Sequence, residues 1–416
     1  EEGSLRVLWP RGYTRESRPY SYVEEDGQHR TVATTWSVRD NELRFAAAPY
    51  DARLTLVIDP WSTFIGGHAT ETIAGLNCDH EDAVLAAGST GSYDFPIKRA
   101  WQATPWLNPA KNSRDMIILK FDKDTRLVWS TFFGGRESDM GSSIVVDHDN
   151  NVLVVGTTLS IDFPHYRAMQ SVKGDNVDAC VIKLDSSGAR IWATYFGGPN
   201  NDYFEDIGCD DAGNSICLGS VGGLNYGEQL QIPLLRPFQS TGTGSEAVYL
   251  KLDSVGQPIF SSFFGGSGWD EASAVAVYPT GEFVLSGGTN SRDLPTIRAR
   301  QPNHSGDTQV VWFQLTEGFI AKFDSGGVPI WSTYHGGLGG SATSQTEVVR
   351  DVALDQCGNI WLTGMTGATN FPLSNNPFQS VYGGGFNDIF LSRLDSTGIM
   401  TYSSLYGGNQ GEVGRT

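Results

Sequence analysis

An aromatic-rich segment ending in Gly-Gly occurs six times in this chain, and its recurrence constrains the fold more than any other feature. The copies are WSTFIGG ending at Gly67, WSTFFGG at Gly135, WATYFGG at Gly198, FSSFFGG at Gly266, WSTYHGG at Gly337 and YSSLYGG at Gly408. Their first glycines are 68, 63, 68, 71 and 71 residues apart, so five whole repeats lie between the six copies. Self-similarity at a near-fixed period is the mark of a repeat architecture.

Within each repeat the order of signals is constant. A polar, acidic loop follows Gly-Gly, then comes a short apolar strand ending near an Asp, a tight turn, and a second strand closed by glycine. Asp79 to Gly88, Asp147 to Gly156, Asp210 to Gly219 and Asp355 to Gly364 share a nine-residue spacing, and Tyr278 to Gly287 keeps it with Tyr in the Asp place. A constant count across a turn fixes hairpin register, so these two segments read as strands A and B. A loop with DFP, QIP, DLP or NFP follows, then a Gln that is preceded by Trp101, Met169, Phe238, Arg300 or Phe378. Strand C (MIILKFD, ACVIKLD, AVYLKLD, FIAKFD, IFLSRLD) and a turn such as Asp185-Ser-Ser-Gly188 lead into the aromatic strand D. Four antiparallel strands per repeat describe one blade of a β-propeller. Apolar runs without alternation fit sheets buried on both faces between neighbouring blades. The blades are expected at about 73–135, 142–198, 204–266, 272–337 and 347–408, behind a β-rich segment at 1–60.

The linked motifs STFFGG, a VxDxxGN-type turn, GxTxSxDFP, FQ and DxxxxKLDxxG resemble the SBBP family of bacterial β-propeller repeats over about residues 61–416. Residues 18–60 resemble the end of the β-rich domain that commonly precedes these propellers. The resemblance implies export, a place in a large secreted or cell-surface protein with adhesin-like character, and no catalytic residue to carry over. Residues 61–67 read as a lone strand D, and GEVGRT falls where another strand A should begin. The expectation is therefore five blades plus one strand, either in a ring of six or more blades that a missing segment or a partner completes, or in a five-bladed ring with residues 61–67 capping an edge.

The 416 residues carry a formal charge of −18. That charge repels phosphate backbones and excludes nucleic acid as a natural partner. No apolar run reaches the ~18 residues that a membrane-spanning helix needs, so no membrane insertion is expected. Five cysteines without a CxxC pair read as buried free thiols, with a cross-strand Cys209–Cys217 bridge as the exception.

Candidate chemistry is sparse. The hairpin turns at Asp147, Asp149, Asp210 and Asp211, with Asp355, admit calcium through oxygen ligands at alternate positions. Against this, Asp, Asn and Gly are what tight turns require, and no other cofactor is expected. Lys120, Lys183, Lys251, Lys322 and Arg393 recur in strand C; a structural ion pair explains them more economically than an anion-binding channel. His335 stands where other copies have Ile, Phe or Tyr and reads as a packing variant. Two loops break the repeat: 97–114 with Trp101, Trp106 and Lys111, and 296–316 with His304, Asp307 and Trp312. Tryptophans there could stack on a sugar or a peptide. The leading reading is a non-catalytic binding or adhesion module whose glycan or protein ligand is contacted by loops on one ring face. A passive spacer is the alternative, and a polysaccharide-acting enzyme, resting on Asp307 with Glu317, is a third.

Overall fold

In the computed structural model, all residues are described except 1–4, 10–11, 17–19, 26–27, 40–41, 60–64, 108–110, 124, 223–228, 306–315, 338–346 and 413–416. Every regular element among the described residues is a β-strand. The chain divides into two compact units, Glu1–Ile65 and Gly66–Thr416. The first holds a β1 (Leu5–Trp9)–β2 (Gly12–Glu16) ribbon, a sheet in which β3 (Tyr20–Glu25) lies between β4 (Gln28–Thr31) and β7 (Leu56–Asp59), and the β5 (Thr34–Arg39)–β6 (Glu42–Ala47) hairpin.

The second unit is an all-β propeller of five four-stranded antiparallel sheets, each with its strands in sequence order. Blade 1 is β8 (Glu71–Cys78), β9 (Val84–Thr90), β10 (Asp115–Phe121) and β11 (Leu127–Phe133). Blade 2 is β12 (Asp139–Val146), β13 (Val152–Thr158), β14 (Asp178–Leu184) and β15 (Arg190–Phe196). Blade 3 is β16 (Asn201–Cys209), β17 (Ser215–Gly222), β18 (Ser245–Leu252) and β19 (Pro258–Phe264). Blade 4 is β20 (Asp270–Val277), β21 (Phe283–Thr289), β22 (Glu317–Phe323) and β23 (Pro329–His335), and blade 5 is β24 (Val348–Leu354), β25 (Ile360–Thr366), β26 (Asp388–Leu394) and β27 (Met400–Tyr406). Of the lone strand D expected at 61–67, residues 61–64 lie outside the described residues and 65–67 are in no strand. Cys78, Cys180, Cys209, Cys217 and Cys357 are all free thiols, so the Cys209–Cys217 bridge is absent.

The repeated motifs hold the blades together. The fourth residue of each A–B turn (Asp82, Asn150, Gly213, Gly281, Gly358) has positive φ, the conformation that Asn, Asp and Gly tolerate. The C–D turn does more than reverse the chain. A Cβ at Gly188 (φ +87°) would lie 2.9 Å from the Trp129 ring of the preceding blade, while Trp129 Nε1 donates to Ser186 O at 3.0 Å. In blades 1 to 4 the strand D aromatic thus seats on the next blade's turn: Gly256, Gly327 and Gly398 repeat the contact with Trp192, Phe260 and Trp331.

The B–C loop returns along the outer edge of strand D, bridging Lys98 to Ser130, Leu235 to Ser261 and Ile297 to Ser332. This covers an edge that would otherwise offer free backbone groups to other chains. One register position of strand A shows the effect of a neighbouring blade: Ile144, Ile207, Val275 and Val352 are 3–6% exposed there, whereas Leu76 of blade 1 is 67% exposed.

Candidate binding site on the B–C loops

Three strand C lysines pair with the hairpin aspartates of their own blades. Lys120 reaches Asp79 at 2.5 Å, Lys183 reaches Asp147 at 2.7 Å and Lys251 reaches Asp210 at 3.2 Å, all with side chains under a tenth exposed. Where Tyr278 replaces the Asp, Lys322 turns to Glu282 at 2.8 Å and sits 4.5 Å over the Tyr278 ring. The calcium candidates therefore have other work. Asp147 Oδ1 accepts the backbone N–H groups of Asp149 and Asn151 at 3.0 and 2.9 Å. Burial acts to raise this carboxyl, but Lys183 and Asn151 outweigh it and hold it below the usual carboxylate range. Asp210 repeats the arrangement with Ala212 and Asn214, while Asp149 and Asp211 are exposed. Among the described residues, no three His, Cys, Asp or Glu side chains gather as a metal site.

Trp101 is a repeat residue. It stacks on Phe133 with centroids 4.9 Å apart, and the Arg190 guanidinium lies 4.5 Å over its ring, which leaves it 37% exposed. Phe378 stacks on Tyr406 in the same way at 5.2 Å. In blade 4 the pair becomes Arg300 with His335, joined at 2.9 Å; burial, and then Arg300, hold the His335 imidazole well below its ordinary range. Trp106 is 47% exposed, with Arg136 5.6 Å from its ring. His304 is buried, its Nδ1 3.3 Å from Glu317 Oε2. Asp307 and Trp312 lie outside the described residues. Glu317 is not a break in the repeat, as the enzyme reading required: it opens strand C, where the other blades have Asp115, Asp178, Glu246 and Asp388.

Sequence reasoning missed this acidic position and a second one, four residues after the second glycine, or ten in blade 5, where strand A begins. Glu71, Asp139, Asp202, Asp270 and Glu347 stand there. Each accepts the N–H of that glycine: Gly135 to Asp139 and Gly266 to Asp270 at 2.8 Å, Gly337 to Glu347 at 2.9 Å. The strand C acid accepts an N–H from its own B–C loop, Trp106 to Asp115 at 2.8 Å and Gly174 to Asp178 at 2.9 Å. At Gly197, Gly265 and Gly336 the first glycine packs on both acids at once. A Cβ at Gly265 would lie 1.9 Å from Glu246 Oε2 and 2.6 Å from Asp270 Oδ2, which bounds that oxygen pair to within about 4.5 Å. Its N–H goes to Gln239 Oε1 at 3.1 Å, and Gln102, Gln170, Gln301 and Gln379 serve the other copies alike. Burial drives Asp115, Asp139 and Asp202 up to about 7, Glu347 to about 8 and Glu246 to about 9.

Above Glu246 a cavity of about 540 Å³ opens between the third B–C loop and the Gly265–Ser267 turn, lined also by Phe238, Gly242, Thr243 and Asp293. Glu246 Oε2 is buried without a hydrogen-bond partner. The B–C loops also concentrate the exposed apolar surface. Of the twenty large hydrophobic side chains exposed among the described residues, three lie in 91–114, four in 159–177, two in 223–244 and three in 367–387.

With this geometry in place, residues 128–164, which run from strand D of blade 1 through the DFP loop of blade 2, match the model of a β-propeller repeat, SBBP. The chain is an SBBP-type repeat protein. Residues 1–61 match a domain of unknown function, DUF7948. A 176-residue stretch is 25% identical to the regulatory protein FlaEY of Caulobacter vibrioides, covering 41% of this chain and 18% of that protein. The chain thus spans less than a fifth of that relative. Among solved structures, a gluconolactonase from Xanthomonas campestris covers 83% of this chain and 91% of its own at 11% identity and a TM-score of 0.32. Sqt1 from Chaetomium thermophilum covers 82% and 73% at the same identity and score.

Proposed function

We propose that this SBBP-type propeller is a non-catalytic binding module, exported or displayed on a bacterial cell surface, which holds a glycan or protein ligand with its B–C loops. The observation that carries the reading is the concentration of exposed apolar side chains in those loops, twelve of twenty, because exposed apolar groups gathered on one set of loops mark contact surfaces. Phe238 at 40% and Trp106 at 47% exposure are the anchors within reach of a ligand. The near-identical hydrogen bonds of all five blades serve the scaffold, which leaves the loops to vary.

The test is a thermal-melt screen against oligosaccharides and peptides, with calcium and chelator arms. A ligand that binds only the folded ring raises its melting temperature. A shift that Phe238→Ala or Trp106→Ala abolishes supports the module, and a flat screen favours a spacer.

A further inference from the structure

The B–C loops meet the strand C acids in a fixed register. Counting from the repeated Gln, the fourth residue's N–H bonds the acid: Trp106, Gly174, Thr243, Ser305 and Gly383 bond Asp115, Asp178, Glu246, Glu317 and Asp388. The third residue lies beside that bond, and it differs between blades. In blade 2 it is Lys173, whose buried ammonium donates to Gly174 O and Asn176 O and lies 3.8 Å from Asp178 Oδ1. In blade 4 it is His304, 3.3 Å from Glu317. Blades 1 and 5 place Pro105 and Tyr382 there.

In blade 3 the third residue is Gly242, which has no side chain to offer. Its Cα faces the acid, since a Cβ there would lie 2.7 Å from Glu246 Cγ. Gly242 and Glu246 both line the 540 Å³ cavity, while the place a side chain of Gly242 would take is filled by Glu246 Cγ and the Phe263 ring, 2.7 and 3.3 Å from such a Cβ. Glu246 is fully buried and its Oε2 has no partner. The charged groups around it are Asp270 and Asp293, and both are acidic. Where blades 2 and 4 bring a basic side chain to the acid, blade 3 has a cavity and a buried carboxyl instead.

We propose that this cavity is a receptor for a primary ammonium group, a lysine side chain presented by a partner protein, which takes at Glu246 the place that Lys173 fills at Asp178. Lys173 shows within the same molecule that a lysine ammonium fits this loop geometry. The net charge of −18 favours a basic partner. This inference rests on the B–C loops being the binding surface.

The test is calorimetric titration of the full chain with Nα-acetyl-lysine methylamide, its Nε-acetylated counterpart, and glucosamine. The lysine probe is expected to bind saturably with release of the Glu246 proton to solvent, and the Nε-acetylated form and the Glu246→Gln variant are each expected to bind about tenfold or more weakly, as loss of a charge-assisted hydrogen bond implies. Gly242→Lys forces a side chain against Glu246 Cγ and the Phe263 ring, 2.7 and 3.3 Å from the new Cβ, and is expected to close the cavity and stop binding. Absence of binding by the lysine probe, equal binding by Glu246→Gln or by the acetylated probe, or preference for glucosamine overturns the proposal. A ligand from the melt screen whose affinity needs Phe238 or Trp106 but not Glu246 removes this receptor and leaves the binding-module reading standing.

Discussion

Replacing Lys183 by Met tests how the blades are held together. The Lys183 ammonium lies 2.7 Å from Asp147 Oδ2 and donates to Ser254 O, in the next blade's C–D turn, at 3.0 Å. Both side chains are 3% exposed. Removing the lysine leaves an ionised carboxylate in the protein interior, a change that costs about 3–5 kcal/mol in buried pairs. Lys322→Met is the internal comparison, because its partner Glu282 is 38% exposed and water can take over the charge; about 1 kcal/mol or less is expected there. Guanidinium unfolding should separate the two variants, and hydrogen exchange should place the Lys183→Met opening at β12–β13 and at the contact with blade 3. Partial recovery on adding Asp147→Asn is also expected, since the neutral amide keeps its turn bonds without a buried charge. Equal losses for both lysines would refute the reasoning.

Three further outcomes follow from the same structure. Because burial raises Asp115, Asp139 and Asp202 to about 7 and Glu347 to about 8, the folded state holds protons that the unfolded chain releases near pH 4; the guanidinium midpoint should fall as pH rises from 5 to 8, and a midpoint that climbs over that range would contradict it. Thr125 holds the turn position at φ +67° where other blades have glycine, so Thr125→Gly should stabilise blade 1 by about 1 kcal/mol, whereas Gly188→Ala should destabilise by more than that through its clash with Trp129. A thiol reagent should label Cys78 and Cys357 rapidly in the native protein and leave Cys180 and Cys217 untouched, since burial raises those two thiols well above their ordinary range; fast labelling of all five would mean an open ring interior.

The blade was legible because its signals are local. The nine-residue hairpin spacing, the DFP loop and the turn glycines each depend on a few consecutive residues, and each fell in its expected element. The strand C lysine was legible as a structural ion. Its partner was not, because Asp147 and Lys183 meet only when β12, β13 and β14 are laid side by side. Acids after Gly-Gly read as part of a polar loop, yet Asp139 and Asp202 are buried; Asp139 is held by Thr158 and Ser160 of its own blade and by Gly135 at the end of the preceding one, groups far from it in sequence or hidden in a turn. Trp101 stood out as a large aromatic in a long loop; its engagement by Phe133 and Arg190 comes from strand D and from the following blade. Glu246 and Gly242 carried no signal by themselves, since a missing side chain matters only against the register of the other four loops.

The most direct test of the account is hydrogen–deuterium exchange of the full chain with and without whichever ligand raises its melting temperature. Protection confined to the B–C loops, with residues 229–246 and the Gly265–Ser267 turn most affected, is the predicted result. Protection centred instead on the A–B hairpins at 79–83, 147–151 and 210–214, at the opposite ends of the strands, would contradict it.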